Sequence, residues 1–216
     1  MKLAAIWRYP VKSMAGERLD SVPIETNGLI GDRVVQVYDR YGRLVTARKY
    51  PRLLRLKATT GSDGEPFVDG FRWDSSEAAE RVAAAVGPGA RLRRFDGPER
   101  FDILPLLVCT DGAVRLFNRD VRRPRPNLLI EGVGESAERG WPGALLHLPD
   151  AEIRLADLRA RCVMTTYDPD TMEQDHEVLR DIVRRFGGRL CLNASVTQIG
   201  RVREGDAVEI ETATIA

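Results

Sequence analysis

The residues of this chain best suited to chemistry lie in the run Arg161-Cys162-Val163-Met164-Thr165-Thr166-Tyr167-Asp168-Pro169-Asp170. A thiolate is both a nucleophile and a soft metal ligand, and the guanidinium of the preceding residue lowers the cost of forming one at Cys162. One flanking arginine is a weak cue. On these features alone two readings of Cys162 stay open, a packed thiol and a reactive one. Cys109 ends a wholly apolar run and Cys191 lies between Leu190 and Leu192, so both are expected to be small core residues.

Basic and polar residues elsewhere suggest an anion. Arg122-Arg123-Pro124-Arg125-Pro126-Asn127 reads either as a solvated loop or as an oxyanion clamp, because guanidinium presents a rigid fork that matches phosphate oxygens. Asn127 would add an amide donor. Lys12-Ser13, directly after Tyr9-Pro10, would place an ammonium and a hydroxyl at a strand end. His147 and His176 have no metal-ligand spacing to each other, and no P-loop, GxGxxG, HExxH or GxSxG motif is present.

The elements that must position these groups follow from composition and pattern. At 216 residues the chain fits one or two domains, and 43% hydrophobic with 30% charged residues describes a globular protein. A net charge of +1 gives no broad attraction to nucleic acid or an anionic membrane, so any bound anion belongs in a local pocket. Three scattered cysteines argue against a disulfide framework and for a reducing compartment. With no secretory signal and no apolar run of the ~18 residues a span needs, a cytoplasmic location is expected.

Short β-type runs punctuated by turns fill the first half: Leu3 to Tyr9, Leu19 to Glu25, Val34 to Tyr38, Leu44 to Thr46 and Leu53 to Thr60. An Ala-rich helix is predicted after Ser75, ending at Gly87-Pro88-Gly89. The polar stretch Phe95 to Phe101 divides the chain into modules of residues 1–97 and 98–216. In the second half, Ile103 to Cys109 is expected as a strand buried on both faces, followed by a helix capped at Thr110-Asp111-Gly112. Further strands are predicted at Leu128 to Glu131, Ala144 to Leu148, Glu152 to Leu155, Cys162 to Tyr167 and Leu190 to Ile199. A helix is predicted from Asp175 to Phe186. The pattern is that of a mainly β protein with a few short helices, a barrel or sandwich rather than a βαβ sheet.

Arg161-Cys162-x-x-Thr165-Thr166-x-Asp168-Pro169, preceded by Arg125-Pro126-Asn127 and followed by Gly200 and Gly205-Asp206-x-Val208, resembles the MOSC domain. Tyr9-Pro10-Val11-Lys12-Ser13, Gly28, Asp32-Arg33 and Thr46-Ala47-Arg48-x-x-Pro51-Arg52-Leu53 resemble the N-terminal β-barrel domain paired with it in amidoxime-reducing proteins. The resemblance implies two β-barrel modules of the MOSC and pyruvate-kinase β-barrel type. It implies that Cys162 ligates the molybdenum of a molybdenum–molybdopterin cofactor, and that Lys12, Ser13, Arg33, Thr110, Arg125, Asn127 and Arg161 hold the pterin and its phosphate. The reaction implied is two-electron reduction of a small N-hydroxylated compound, with Cys162 as the catalytic position. Electrons would come from a separate donor protein, since this chain lacks the cysteines of an Fe–S cluster and is expected to lack both a ferredoxin-like extension and a mitochondrial anchor. No nucleic-acid or membrane partner is implied, and pyridoxal phosphate binding, attributed to the wider family, is not carried to any residue here. The same family also offers a sulfur carrier, with a persulfide on Cys162, and a cofactor-handling protein without turnover. Two positions depart from the pattern: Pro124 precedes the Arg-Pro-Asn triplet where an aromatic is common, and Met172 follows the Asp-Pro-x-Thr turn where glycine is usual.

Overall fold

The computed structural model describes residues 1–212. The fold is mainly β with three α-helices among these residues: α1 (Ser76–Val86), α2 (Asp111–Phe117) and α3 (His176–Phe186). Its largest sheet has eight strands. At the centre Leu106–Thr110 pairs antiparallel with Arg189–Gln198 on one side and parallel with Leu128–Glu131 on the other. The N-terminal strand Lys2–Arg8 then joins Leu128–Glu131.

All five residues of Leu106–Thr110 are buried, and the alternation of side chains across a strand explains why. Leu106 and Val108 enter the largest core with Leu3, Ile6, Leu128 and Leu146. Leu107 and Cys109 point the other way, into a separate cluster closed by Phe117 of α2 and by Val178, Ile182 and Phe186 of α3. A third core, around Val11, Val35, Val37, Leu53 and Val82, lies among the short sheets of the first half and α1, with Met164 packed against it. The cores do not divide at residue 97: Leu3, Ile6, Val22, Ile24 and Leu29 belong to the core that the second half dominates.

Helix ends follow the side-chain signals. The Ser75 hydroxyl accepts from Ala78 N at 3.2 Å, and the Asp175 carboxylate accepts from Glu177 N at 2.9 Å. Gly187, at φ 61°, stops α3 in the left-handed conformation open to glycine. Two predicted strands are corrected. Val163–Thr166 is a 3-10 turn rather than part of a strand, because the Thr165 and Thr166 hydroxyls donate back to the carbonyls of Cys162 and Val163, at 2.8 and 2.6 Å. Pro51–Arg55 is likewise a 3-10 turn, and only Ala58–Thr60 of that run is a strand.

Thr110 is fully buried as the cap of α2. Its hydroxyl accepts from Ala113 N at 3.0 Å and donates to the buried Glu138 carboxylate at 3.1 Å. Thr110→Ala removes the cap and leaves that carboxylate a donor short, so a loss of about 2 kcal/mol is expected from the urea midpoint, largely restored by Thr110→Ser.

Candidate cofactor site

The site begins where the Lys2–Arg8 strand ends. Tyr9 N donates to Asp32 Oδ1 at 2.7 Å, and the fully buried Asp32 also takes Asn127 Nδ2 at 3.2 Å and pairs with the neighbouring Arg33 guanidinium. Asn127 is fully buried too; its Oδ1 accepts from Leu107 N at 3.1 Å and its Nδ2 reaches Trp7 O at 3.2 Å. Its polar atoms are thus engaged in tying three chain segments together. Ser13, Arg33 and Arg125 all adopt left-handed backbone, at φ 72°, 57° and 59°. For residues with a Cβ this conformation carries strain that the surrounding packing must hold, and it gathers here at one place.

These segments enclose a cavity of about 130 Å³, lined by Lys12, Ser13, Arg33, Arg125, Asn127, Arg161 and Cys162. Of the eight positions singled out in the sequence, only Thr110 is absent from the lining; its hydroxyl is spent on α2 and Glu138. Arg123, from the basic segment read as an oxyanion clamp, also lines it, as do Arg48, Asp102 and Arg159, which were not singled out as site residues. The Thr46-Ala47-Arg48 motif was the available signal for Arg48; for Asp102 and Arg159 the contact exists only in three dimensions.

Seven lysine and arginine side chains face the cavity against one carboxylate, Asp102. Arg125 lies 4.1 Å over the Tyr9 ring and donates to Met14 O at 2.6 Å. Burial pushes its pKa down to about 10, and the nearby Arg33 and Arg161 add to the fall against the opposing Tyr9 and Asp32. The Tyr9 phenol, raised to about 12 chiefly by burial, stays neutral and donates to Pro126 O at 3.0 Å. Arg161 gives one terminal nitrogen to Pro124 O at 2.5 Å, while its Nε is buried without a partner among the described residues. A buried donor in that state costs about 1–3 kcal/mol until an acceptor meets it.

Around Cys162 the groups are better matched. A hydrogen bond with Cys162 is the largest cause of a raised Arg48 pKa, ahead of the opposing cost of burial and the attraction of Asp102. Asp102 in turn accepts from Lys12 Nζ and from Arg48, each at 2.8 Å, and lies 3.4 Å from Arg159. Burial raises the Asp102 pKa, but these cations together hold it below the usual carboxylate range. Lys12 Nζ also donates to Arg100 O at 2.7 Å. Arg123 pairs with Asp168 at 2.9 Å and donates to Thr166 O at 3.0 Å, so it fixes the turn that follows Cys162. Asp168 itself accepts from Asp170 N and Thr171 N, both at 3.0 Å, which makes Asp168-Pro169 a turn clamp. Met172 closes that turn at φ 63°, a conformation in which glycine is at ease.

A mainly β protein whose modules share a cationic, thiol-bearing cavity is the class that fold and site define. A model of the MOSC N-terminal beta barrel domain matches residues 1–69, and a model of the MOSC domain matches residues 111–209. The chain belongs to the MOSC family, with both domains. It is 25% identical over 247 residues to mitochondrial amidoxime-reducing component 1 of Mus musculus, covering 88% of this chain and 72% of that protein. It is 26% identical over 269 residues to molybdenum cofactor sulfurase of Anopheles gambiae, covering 92% of this chain and 34% of that protein. Among solved structures, the YUAD protein from Bacillus subtilis superposes with a TM-score of 0.55 at 12% identity, over 99% of this chain and 96% of that one, which supports the fold.

Two variants test the site. Arg125→Ala should weaken binding of inorganic pyrophosphate by about 10- to 100-fold in calorimetry, the worth of a charge-assisted contact, whereas exposed Arg91→Ala should leave it unchanged. Met172→Val, forcing a β-branched residue into the left-handed region, should destabilise by about 1–2 kcal/mol in urea unfolding while Met172→Gly does not.

Proposed function

We propose that the chain holds a molybdenum–pterin cofactor in this cavity, with Cys162 as the metal ligand, and reduces small N-hydroxylated compounds. The observation that carries the reading is that Cys162 and the partly buried Arg33, Arg125 and Arg161 line one cavity. A thiolate suits a soft, dithiolene-bound metal, and the cationic excess together with the unpartnered Arg161 Nε fits an anionic pterin phosphate. In this reading Arg33, Arg125 and Arg161 hold the phosphate, Lys12 and Ser13 add an ammonium and a hydroxyl, and Asn127 fixes the wall. Thr110 takes no part. When bound, the cofactor would supply two-electron redox chemistry.

The chain's own residues prepare the site for that chemistry. Arg48 lines the cavity beside Cys162 and pairs with Asp102 at 2.8 Å. Asp102, held ionised at the mouth by Lys12 and Arg48, accepts a hydrogen bond from a substrate N–H and orients the N–O group inward. Conversion of N–OH to N–H takes two electrons and two protons and releases water. The electrons come from a separate donor protein. No described helix is long and apolar enough to cross a membrane.

A second reading has a specific observation in its favour. The Anopheles sulfurase matches 92% of this chain, so a relative of that name shares both modules, and a clamp built from two domains does not by itself speak for a reductase. In that reading Cys162 carries a persulfide. Metal and pterin analysis of protein made in a cofactor-producing host separates the two. Near-stoichiometric molybdenum, lost in Cys162→Ser, with reduction of benzamidoxime by a chemical electron donor, is the expected result. Metal-free protein with cyanolysable sulfur on Cys162 would establish the sulfur carrier, and bound pterin without reduction would leave a cofactor-handling protein.

A further inference from the structure

Cys109 and Cys191 lie on neighbouring strands at the heart of the large sheet. Their antiparallel register pairs Leu106 with Ala194, Leu107 with Asn193 and Val108 with Leu192, and the next step sets Cys109 opposite Cys191. The two Sγ atoms are 2.8 Å apart and both residues are buried. An S–S bond is about 2.05 Å long, and cross-strand Cα separations of about 4.5–5.5 Å fall inside the range a disulfide spans. The strand bends at this point, with Cys191 at φ 63°. Around the pair stand the apolar side chains of Leu107, Phe117, Val178, Ile182, Phe186 and Leu190, and two charged groups, Arg161 and Glu138, act on Cys109 in opposite directions. No third ligand accompanies the two sulfurs, and no group of three metal-binding side chains occurs among the described residues. The surroundings therefore suit a covalent sulfur pair and not a metal.

We propose that Cys109 and Cys191 are a redox-responsive modification site that closes to a buried disulfide and staples the two strands behind the cavity. This inference stands apart from the cofactor reading. The oxidant is hydrogen peroxide. One cysteine sulfur attacks the peroxide, the O–O bond breaks, and a sulfenic acid and one water form; the second sulfur then displaces the sulfenic oxygen as a second water and the S–S bond forms. The two thiols lose two electrons and the peroxide gains them. The hydrogen bond with Cys191 and burial together push the Cys109 thiol well above its ordinary pKa, so the reaction is slow at neutral pH and quickens as pH rises. Its structural effect reaches the site. Leu107 and Asn193 lie two residues from the sulfurs and line the cavity, where Asn193 Oδ1 holds Arg159 at 3.1 Å.

The test is peroxide treatment of the full chain carrying Cys162→Ser, which removes the third thiol, followed by alkylation in denaturant and non-reducing tryptic mass mapping. The expected product joins peptide Phe101–Arg115 to Leu190–Arg201, lighter by two hydrogens than the separate peptides. The Tm should rise by about 5–15 °C, reversibly with dithiothreitol. Cys109→Ala should abolish both changes, and should that variant not fold, the mapping decides alone. Both cysteines still alkylated after peroxide, or oxidised separately to sulfinic acids, would overturn the proposal. So would a linked pair with no change in Tm, because the strands would then not be stapled.

Discussion

Asp32 is fully buried, and a carboxylate out of water must be met by donors from the protein itself. Those donors come from separate parts of the chain: Tyr9 N at the end of the first strand, Asn127 Nδ2 from the second half, and the adjoining Arg33. Arg100 adds a bond at 3.0 Å to the Asp32 carbonyl. Each donor is a site segment or borders one, so this carboxylate fixes where Lys12, Ser13 and Arg33 stand relative to Arg125. Removing it would leave the buried Asn127 and the partly buried Arg33 with unmatched donors, a cost above that of a surface ion pair.

Once assembled, the cavity is electrostatically incomplete. Burial lowers the Arg125 pKa, and the nearby Arg33 and Arg161 lower it further. A cation whose folded pKa falls below its unfolded value destabilises the folded state while charged, and that penalty fades only as pH rises through about 10. A dianion in the cavity removes the same penalty at neutral pH. Binding and stability are therefore coupled, with the ligand stabilising the fold by mass action. Strain at Ser13, Arg33 and Arg125 adds to the picture of a site built for a ligand rather than for the stability of the bare chain.

Much of this was legible in the residues because the signals were local. Ser75, Thr110 and Asp175 each precede a helix and each caps it. Of the apolar run ending in Cys109, the part from Leu106 is a strand with a core on both faces, while Ile103 is exposed and lies outside it. Where reading failed, a non-local or competing effect prevailed. The β-type residues Val163 to Tyr167 turn back on themselves because two threonine hydroxyls satisfy nearby carbonyls and Arg123 pins Thr166 from a distance. Thr110 is a cap whose hydroxyl has nothing left for a phosphate. Asp102 and Arg159 were invisible because their partners, Lys12, Arg48 and Asn193, lie 34 to 90 residues away in the chain. Cys109 and Cys191 were rightly read as buried, but their juxtaposition depends on strand register, which no single run of residues displays.

The mouth of the cavity bears on the choice between a reductase and a sulfur carrier. Arg48 pairs with Asp102 and lines the cavity beside Cys162, with half of its side chain exposed. A persulfide received from another protein requires that protein's cysteine to reach Cys162, through an opening that Arg48 and Asp102 occupy and into a cavity of about 130 Å³. A small N-hydroxylated molecule faces no such demand: it needs one acceptor at the rim and a path to Cys162. The long Arg48 side chain suits that use, since a guanidinium exposed at its end can swing aside for a small molecule while Asp102 keeps its bond to Lys12. The geometry at the mouth thus favours small-molecule turnover over protein-to-protein sulfur relay, on grounds separate from the phosphate clamp that both readings share.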